Sequence, residues 1–457
     1  MNAPAAPEHT LRTLLTLAWP IVLARATQSV IGFGDALMVA PLGEDALAAV
    51  TTGSLNVYAF IILPMGTAFI LQSFAAQLRG RGDLIGIQRY AYYGLIVGLI
   101  AGLIALPFLP LIHPALTLLE LPENVTSMMA SYLAIRLLSV APAVGLEALG
   151  NWYGGLGNTR PSLVGSTVSM VLDVFFNYAL IEPRFGLPGY GVEGAAWGST
   201  VSSWVGFGVV AFMFLRGQGY DRVVGPLALR MSELKRVLRF GLPNGINWFL
   251  EFAAFIMFIN VVVGHLGTTT LAAFNIVMSI NSISFMPAFG LASAGAILAG
   301  EAIGRRAHHE VSSIVLLTAK VTAGWMGAIG LIYFALPTQI LSWFGSDAGP
   351  TSELLQIGAV MLGMSAIWQL FDAISMTLSE ALRSAGDTTW CMAARLVLAW
   401  LVFTPVSWLA VLSFGGGVYT VMVALIGYLA LLAAAFVWRF SSGKWRSIDL
   451  VGEPSLL

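Results

Sequence analysis

Four carboxylic acids stand inside the long apolar stretches of this chain. Asp35 ends the tetrad Gly32-Phe33-Gly34-Asp35, Asp173 has Asn177 one helical turn further on the same face, Glu251 follows Pro243 by eight residues, and Asp372 lies in a later run. A carboxylate is costly in hydrocarbon, so one retained there is read as functional. Two chemistries suit such a group. A desolvated carboxyl can take a proton from one side of a membrane and release it to the other. Alternatively, two carboxylates with nearby carbonyl or hydroxyl oxygens form a hard-oxygen site for a small cation such as Na⁺.

The structural alternatives are specific to each residue. Asp35 can be a paired group at a wetter depth, and Asp173 with Asn177 can be an interhelical hydrogen-bond pair worth about 0.6 kcal/mol in lipid. Arg25 and Arg136, both in mid-run, are candidate internal charge partners for these acids, and a pairing or snorkelling role suits them better than contact with a substrate. Glu147, Glu301 and Glu380 fall near the ends of their runs, where a wet structural role is expected. His113, His265, His308 and His309 fall in or beside loops without the spacing of a zinc site, and the lone Cys391 rules out a disulfide or thiolate framework.

The elements that carry these groups follow from composition. Of 457 residues 58% are hydrophobic and 10% charged, and the mean hydropathy is +0.83. So few polar side chains cannot cover a soluble protein of this length, so the bilayer is the solvent. The expected architecture is an all-α polytopic membrane protein with about twelve transmembrane helices of ~20 residues or more. The spans are drawn at 13–39, 47–77, 88–112, 125–150, 162–182, 193–215, 236–264, 271–300, 312–336, 353–381, 390–413 and 417–440. Met1 to Thr10 lack a basic n-region, so the first span is expected to be retained and not cleaved as a signal peptide.

The chain repeats itself. Pro20, Leu42-Gly43, Leu47-Ala48-Ala49 and Pro64 recur as Pro243, Leu266-Gly267, Leu271-Ala272-Ala273 and Pro287, and Gly155 to Thr159 recur as Ser384 to Thr388. Two six-helix bundles related by a parallel internal repeat are therefore expected, and duplicated polytopic proteins of this kind are commonly transporters. The divisions are an N-lobe at 1–215, a cytoplasmic linker at 216–233, a C-lobe at 234–441 and a cytoplasmic tail at 442–457. The acids are not repeat equivalents, because Gln28 is the counterpart of Glu251 and Phe258 that of Asp35.

Charge sets the orientation. Arg79, Arg81, Arg160, Arg216, Arg222, Arg305, Arg306, Arg383, Arg439 and Lys444 fall on one side, at the termini or in alternate loops. Glu44, Asp45, Glu120, Glu123, Glu182, Asp347 and Glu353 fall on the other, with Arg184 the basic exception. Both termini are then cytoplasmic. The net charge of -1 points to no nucleic-acid partner, and no obligate protein partner is indicated.

At these residues the chain resembles the multidrug and toxic compound extrusion (MATE) family, more closely its bacterial NorM-type branch, along nearly its whole length. The likeness rests on Ala18-Trp19-Pro20, the Asp35 motif running to Leu42-Gly43, Gly155-Leu156-Gly157-Asn158-Thr159-Arg160-Pro161, Gly241-Leu242-Pro243 with Glu251, and Ala381 to Thr388. The resemblance implies a multidrug antiporter of the bacterial inner membrane, coupled to Na⁺, H⁺ or both, that exports amphipathic and often cationic compounds by alternating access. It implies Na⁺ binding at Glu251 and Asp372, coupling at Asp35, and a polar N-lobe cluster at Asp173 and Asn177. Position 173 departs from members that carry an amide there, which keeps an N-lobe protonation site in view. No cofactor beyond the coupling ion and no enzymatic activity are implied.

Two other readings compete. A flippase of lipid-linked sugars from the same wider superfamily would need several basic residues in its cavity, where this chain offers Arg25 and Arg136. An intramembrane aspartyl protease is formally allowed by Gly32-Phe33-Gly34-Asp35, but its second aspartate should follow a tyrosine, whereas Asp173 follows Leu172 and Asp372 follows Phe371.

Overall fold

The computed structural model describes residues 10–118, 122–223, 227–342 and 352–452. Glu120, Asp347 and the first nine residues, on which three of the readings above fall, lie outside them. Every regular element among the described residues is helical. Eleven helices are long and apolar enough to cross a membrane, and one bent pair supplies a twelfth span. In chain order these are α1 (Leu11–Leu42), α2 (Glu44–Arg81), α3 (Leu84–Thr117), α4 (Glu123–Leu137 with Val140–Gly155), α5 (Arg160–Leu180) and α6 (Gly191–Leu215). The second series is α7 (Met231–Val263), α8 (Thr268–Gly304), α9 (His308–Ala335), α10 (Ser352–Ser384), α11 (Thr388–Ser413) and α12 (Val418–Ser441).

Local sequence accounts for the breaks. The two halves of α4 meet at 45°, and the bend falls at Leu138 and Ser139 because the ring of Pro142 crowds the carbonyl four residues before it and supplies no N–H. At 38 residues α2 is about 57 Å long, against a hydrocarbon core of about 30 Å. A helix of that length must tilt or extend beyond the lipid. Wider π-turns interrupt α7 at Phe258–Val263 and α11 at Val397–Phe403 and Leu409–Ser413.

The repeated glycines mark turns. Gly43 and Gly267 hold φ of 106° and 103° as they cap α2 and α8, and Gly157 and Gly386 hold 72° and 90° at the second echo. A side chain is strained in that region, so glycine persists in both repeats.

The chain divides into two compact units: Leu23–Gly245 with Val451–Leu457, and Met1–Val22 with Ile246–Leu450. The division cuts inside α1 and α7, two residues past Pro20 and Pro243, and not at the loop 216–233. In the second unit Leu14, Leu17 and Ala18 are buried against Leu291, Ala294 and Leu298 of α8. The first unit takes the opening half of α7, where Asn244 donates its side-chain amide to the Gly66 carbonyl at 2.6 Å. A Cβ on Gly245 would lie 2.2 Å from the Leu63 carbonyl oxygen, and one on Gly290 would lie 2.4 Å from Val22. Val22 and Thr67 are the repeat counterparts of Gly245 and Gly290, and a Cβ on Gly245 would also lie 2.5 Å from the Thr67 hydroxyl, so one close helix crossing occurs in each unit. Gly245→Val is expected to prevent the α7 crossing and cut the yield of monodisperse protein severalfold, measured by size-exclusion chromatography; a normal profile would show that the crossing tolerates displacement.

Candidate functional site

In the first unit α1, α5 and α6 bring one acidic pair together. Asp35 from α1 and Asp173 from α5 are 6% and 1% exposed, and Asn177 is fully buried. The Asn177 Nδ2 donates to Asp35 Oδ1 at 2.6 Å and to Asp173 Oδ2 at 3.2 Å, so one amide ties both carboxyls. From α6, Ser199 donates to Asp35 Oδ2 and Ser202 to Asp173 Oδ1, each at 3.3 Å. Each of the four carboxyl oxygens thus has one donor. The approach is close because α6 has Gly198 opposite Asn177, where a Cβ would lie 2.3 Å from Oδ1.

The charge around this pair is unbalanced. Arg136 of α4 is near enough to act electrostatically on both acids, yet its Nε and Nη1 are buried with no hydrogen-bond partner. Asn177 Oδ1 is also buried without a partner. Two carboxylates and one guanidinium leave one unit of negative charge, which a proton or a monovalent cation would neutralise.

The second unit has the other pair in a different arrangement. Glu251 of α7 is bound by Arg395 of α11, whose Nη1 donates to Glu251 Oε2. Asp372 of α10 and Tyr428 of α12 lie within electrostatic reach of both groups. Arg395 and Glu251 line a small, tightly filled recess with Asn247, Met392 and Trp400, and the Trp400 indole donates to the Leu250 carbonyl at 3.2 Å.

Several expectations need correction. Arg25 is not placed on any of the four acids: it grips Glu147 of α4 through two nitrogens, at 2.5 and 3.2 Å. Asn151 adds a third donor to Glu147 at 2.7 Å. Glu147 is therefore no wet terminal group, being 8% exposed. Glu380 is buried too, paired with Arg383 one turn later. These carboxylates lie near the ends of their apolar runs, yet each is buried and paired with an arginine.

Arg395, Ser199 and Ser202 were not singled out in the sequence. Arg395 is an arginine five residues into a drawn span, and the rule applied to Arg25 and Arg136 flags it equally. Ser199 and Ser202, three apart on one helix face, are short and common, and only their placement beside the acids gives them a role.

A family model described as MatE matches residues 20–179 and 246–409 of the chain. A probable multidrug resistance protein NorM of Pseudomonas putida is 29% identical over 458 residues, covering 99% of this chain and 98% of its own. The multidrug resistance protein PmpM of Pseudomonas aeruginosa is 27% identical over 425 residues, covering 89% and 87%. Among solved structures, the outward-facing conformation of a multidrug resistance MATE family transporter of the MOP superfamily superposes with a TM-score of 0.87 at 19% identity, over 96% of this chain and 97% of that one.

Proposed function

Because the chain belongs to the MatE family, we propose that it exports amphipathic, often cationic compounds across the bacterial inner membrane in exchange for an inward-moving proton or Na⁺. The relatives named for multidrug resistance support the cargo. The observation that carries the coupling is the Asn177 amide that ties Asp35 to Asp173.

Neutralising that pair changes what each group can do. With both acids ionised, all the donors come from Asn177, Ser199 and Ser202, and α1, α5 and α6 are drawn together around the negative charge. A proton makes one carboxyl a donor, which competes with the amide for the other carboxyl. A bound Na⁺ would instead recruit the same oxygens as ligands. Either event favours one packing of α1 over another. Only such a difference in affinity between two states can drive alternating access.

Two of the intramembrane arginines also favour a cationic cargo over an anionic one, and the third, Arg136, is outnumbered by Asp35 and Asp173. Arg25 and Arg395 are both engaged with carboxylates, at Glu147 and Glu251. An unneutralised cation for a phosphate or pyrophosphate group is thus not supplied by either.

Vesicles containing the protein should expel a cationic dye when a Na⁺ gradient or a pH gradient is imposed. The gradient that works identifies the ion, and efflux under neither would overturn the proposal.

A further inference from the structure

The two acid pairs differ in one respect that bears on the choice of ion. Arg136 makes no hydrogen bond to either acid of its pair through Nε or Nη1, whereas Arg395 is bonded directly to Glu251. We propose that the Arg395 guanidinium is a tethered cation occupying the position on Glu251 that a free Na⁺ would take, so that Na⁺ is kept from the Glu251 and Asp372 pair. This rests on the coupling reading above and specifies which ion its second acid pair admits.

Three features of the site carry it. First, Arg395 is on the helix adjoining the recess and its side chain is 14% exposed. Being attached to the protein, it competes with dissolved Na⁺ at a high effective concentration, and a guanidinium gives up its weaker hydration more readily than a compact cation does. Second, a Na⁺ on Glu251 would face this guanidinium across a single carboxylate, and the repulsion between the two cations offsets much of the attraction either feels. Third, the recess has the ligands of a cation site if the guanidinium is taken away. Asn247 lies one turn before Glu251 on α7, lines the same recess, and has its Oδ1 buried without a partner. The Nε of Arg395, also buried without a partner, faces no competing acceptor.

The charged and titratable groups facing the site are Glu251 on α7, Asp372 on α10, Arg395 and Cys391 on α11, and Tyr428 on α12. With Glu251 matched by Arg395, Asp372 is the one carboxylate left without a bonded cation. The Glu251 and Asp372 site therefore keeps one negative charge, on Asp372, which a proton can neutralise without bringing Na⁺ against the guanidinium. In this respect its total matches that of the first unit, although the two arrangements differ.

The test uses the purified full chain and reads the rise in unfolding temperature on replacing choline chloride with NaCl at constant ionic strength. The quantity scored is the part of that rise abolished by adding Glu251→Gln, so Na⁺ bound elsewhere does not contribute. The expected values are none for the wild type, none for Arg395→Lys, which keeps a tethered cation, and a clear Glu251-dependent rise for Arg395→Gln. A merely structural role for Arg395 would lower the unfolding temperature of Arg395→Gln in both salts alike and overturn the proposal. A Glu251-dependent Na⁺ effect in the wild type would overturn it as well, and that comparison decides the matter alone if Arg395→Gln does not fold. Because the readout is binding and not transport, failure of the efflux reading would leave these values unchanged.

Discussion

Asp35→Asn is expected to reduce dye efflux about tenfold or more, to the level of vesicles without the protein, at unchanged abundance in the membrane. The substitution keeps size and shape, and the new side-chain oxygen can still accept from Asn177 or Ser199. What it removes is the charge and the ability to take up a proton. The site then presents the same single carboxylate, on Asp173, whichever ion is offered. A ligand that no longer binds two states differently cannot shift the balance between them, so transport stops while folding persists. Dye efflux under the effective gradient, with immunoblotting of the same vesicles, measures this. Retained efflux would show that Asp35 is a packing group and move the coupling role to Asp173 or to the second unit.

Arg25→Met is expected to act on stability. It leaves Glu147, 8% exposed, as a buried carboxylate whose guanidinium has gone, at a cost of about 3–5 kcal/mol. The double variant Arg25→Met with Glu147→Leu should recover most of that loss, because two apolar side chains of similar volume need no charge balance. Unfolding temperatures of the three purified proteins test both statements. A single variant as stable as the wild type would show that this ion pair does not hold α1 against α4.

The two experiments separate two kinds of intramembrane charge that look alike in sequence. Asp35 and Glu147 are both acids flanked by apolar residues, and the sequence sets them apart only by position, Glu147 falling near the end of its run. Burial alone cannot distinguish them, since each is nearly sealed. The difference lies in what faces them: a bidentate guanidinium at Glu147, but a shared neutral amide and one hydroxyl at Asp35.

The span count and the duplication were legible because lipid imposes long apolar runs and because glycines at turns resist replacement. Gly43 and Gly267 could be aligned by eye, and both turn out to hold positive φ. The acids were legible as well, since a carboxylate in hydrocarbon is rare whatever its partner. Their partners were not. Asp35 meets Asn177 across 142 residues and Arg395 meets Glu251 across 144, and helix periodicity says nothing about which helices adjoin. The π-turns in α7 and α11 were equally hidden, because one extra residue in a turn leaves a uniformly apolar stretch looking the same. The bend in α4 had its cause in plain view at Pro142, four residues after the break.

The way the units divide α1 and α7 reaches back into the history of the gene. Residues 11–22 belong with the second unit and their repeat counterparts, 234–245, with the first. A forerunner with one copy of the repeat would have lent this half-helix to a second copy and received the same segment in return, which is a domain-swapped homodimer. Fusion of the two genes would have made that exchange covalent and released the copies from identity. One could then acquire Asp35 and the other Glu251 without either change being forced on its twin.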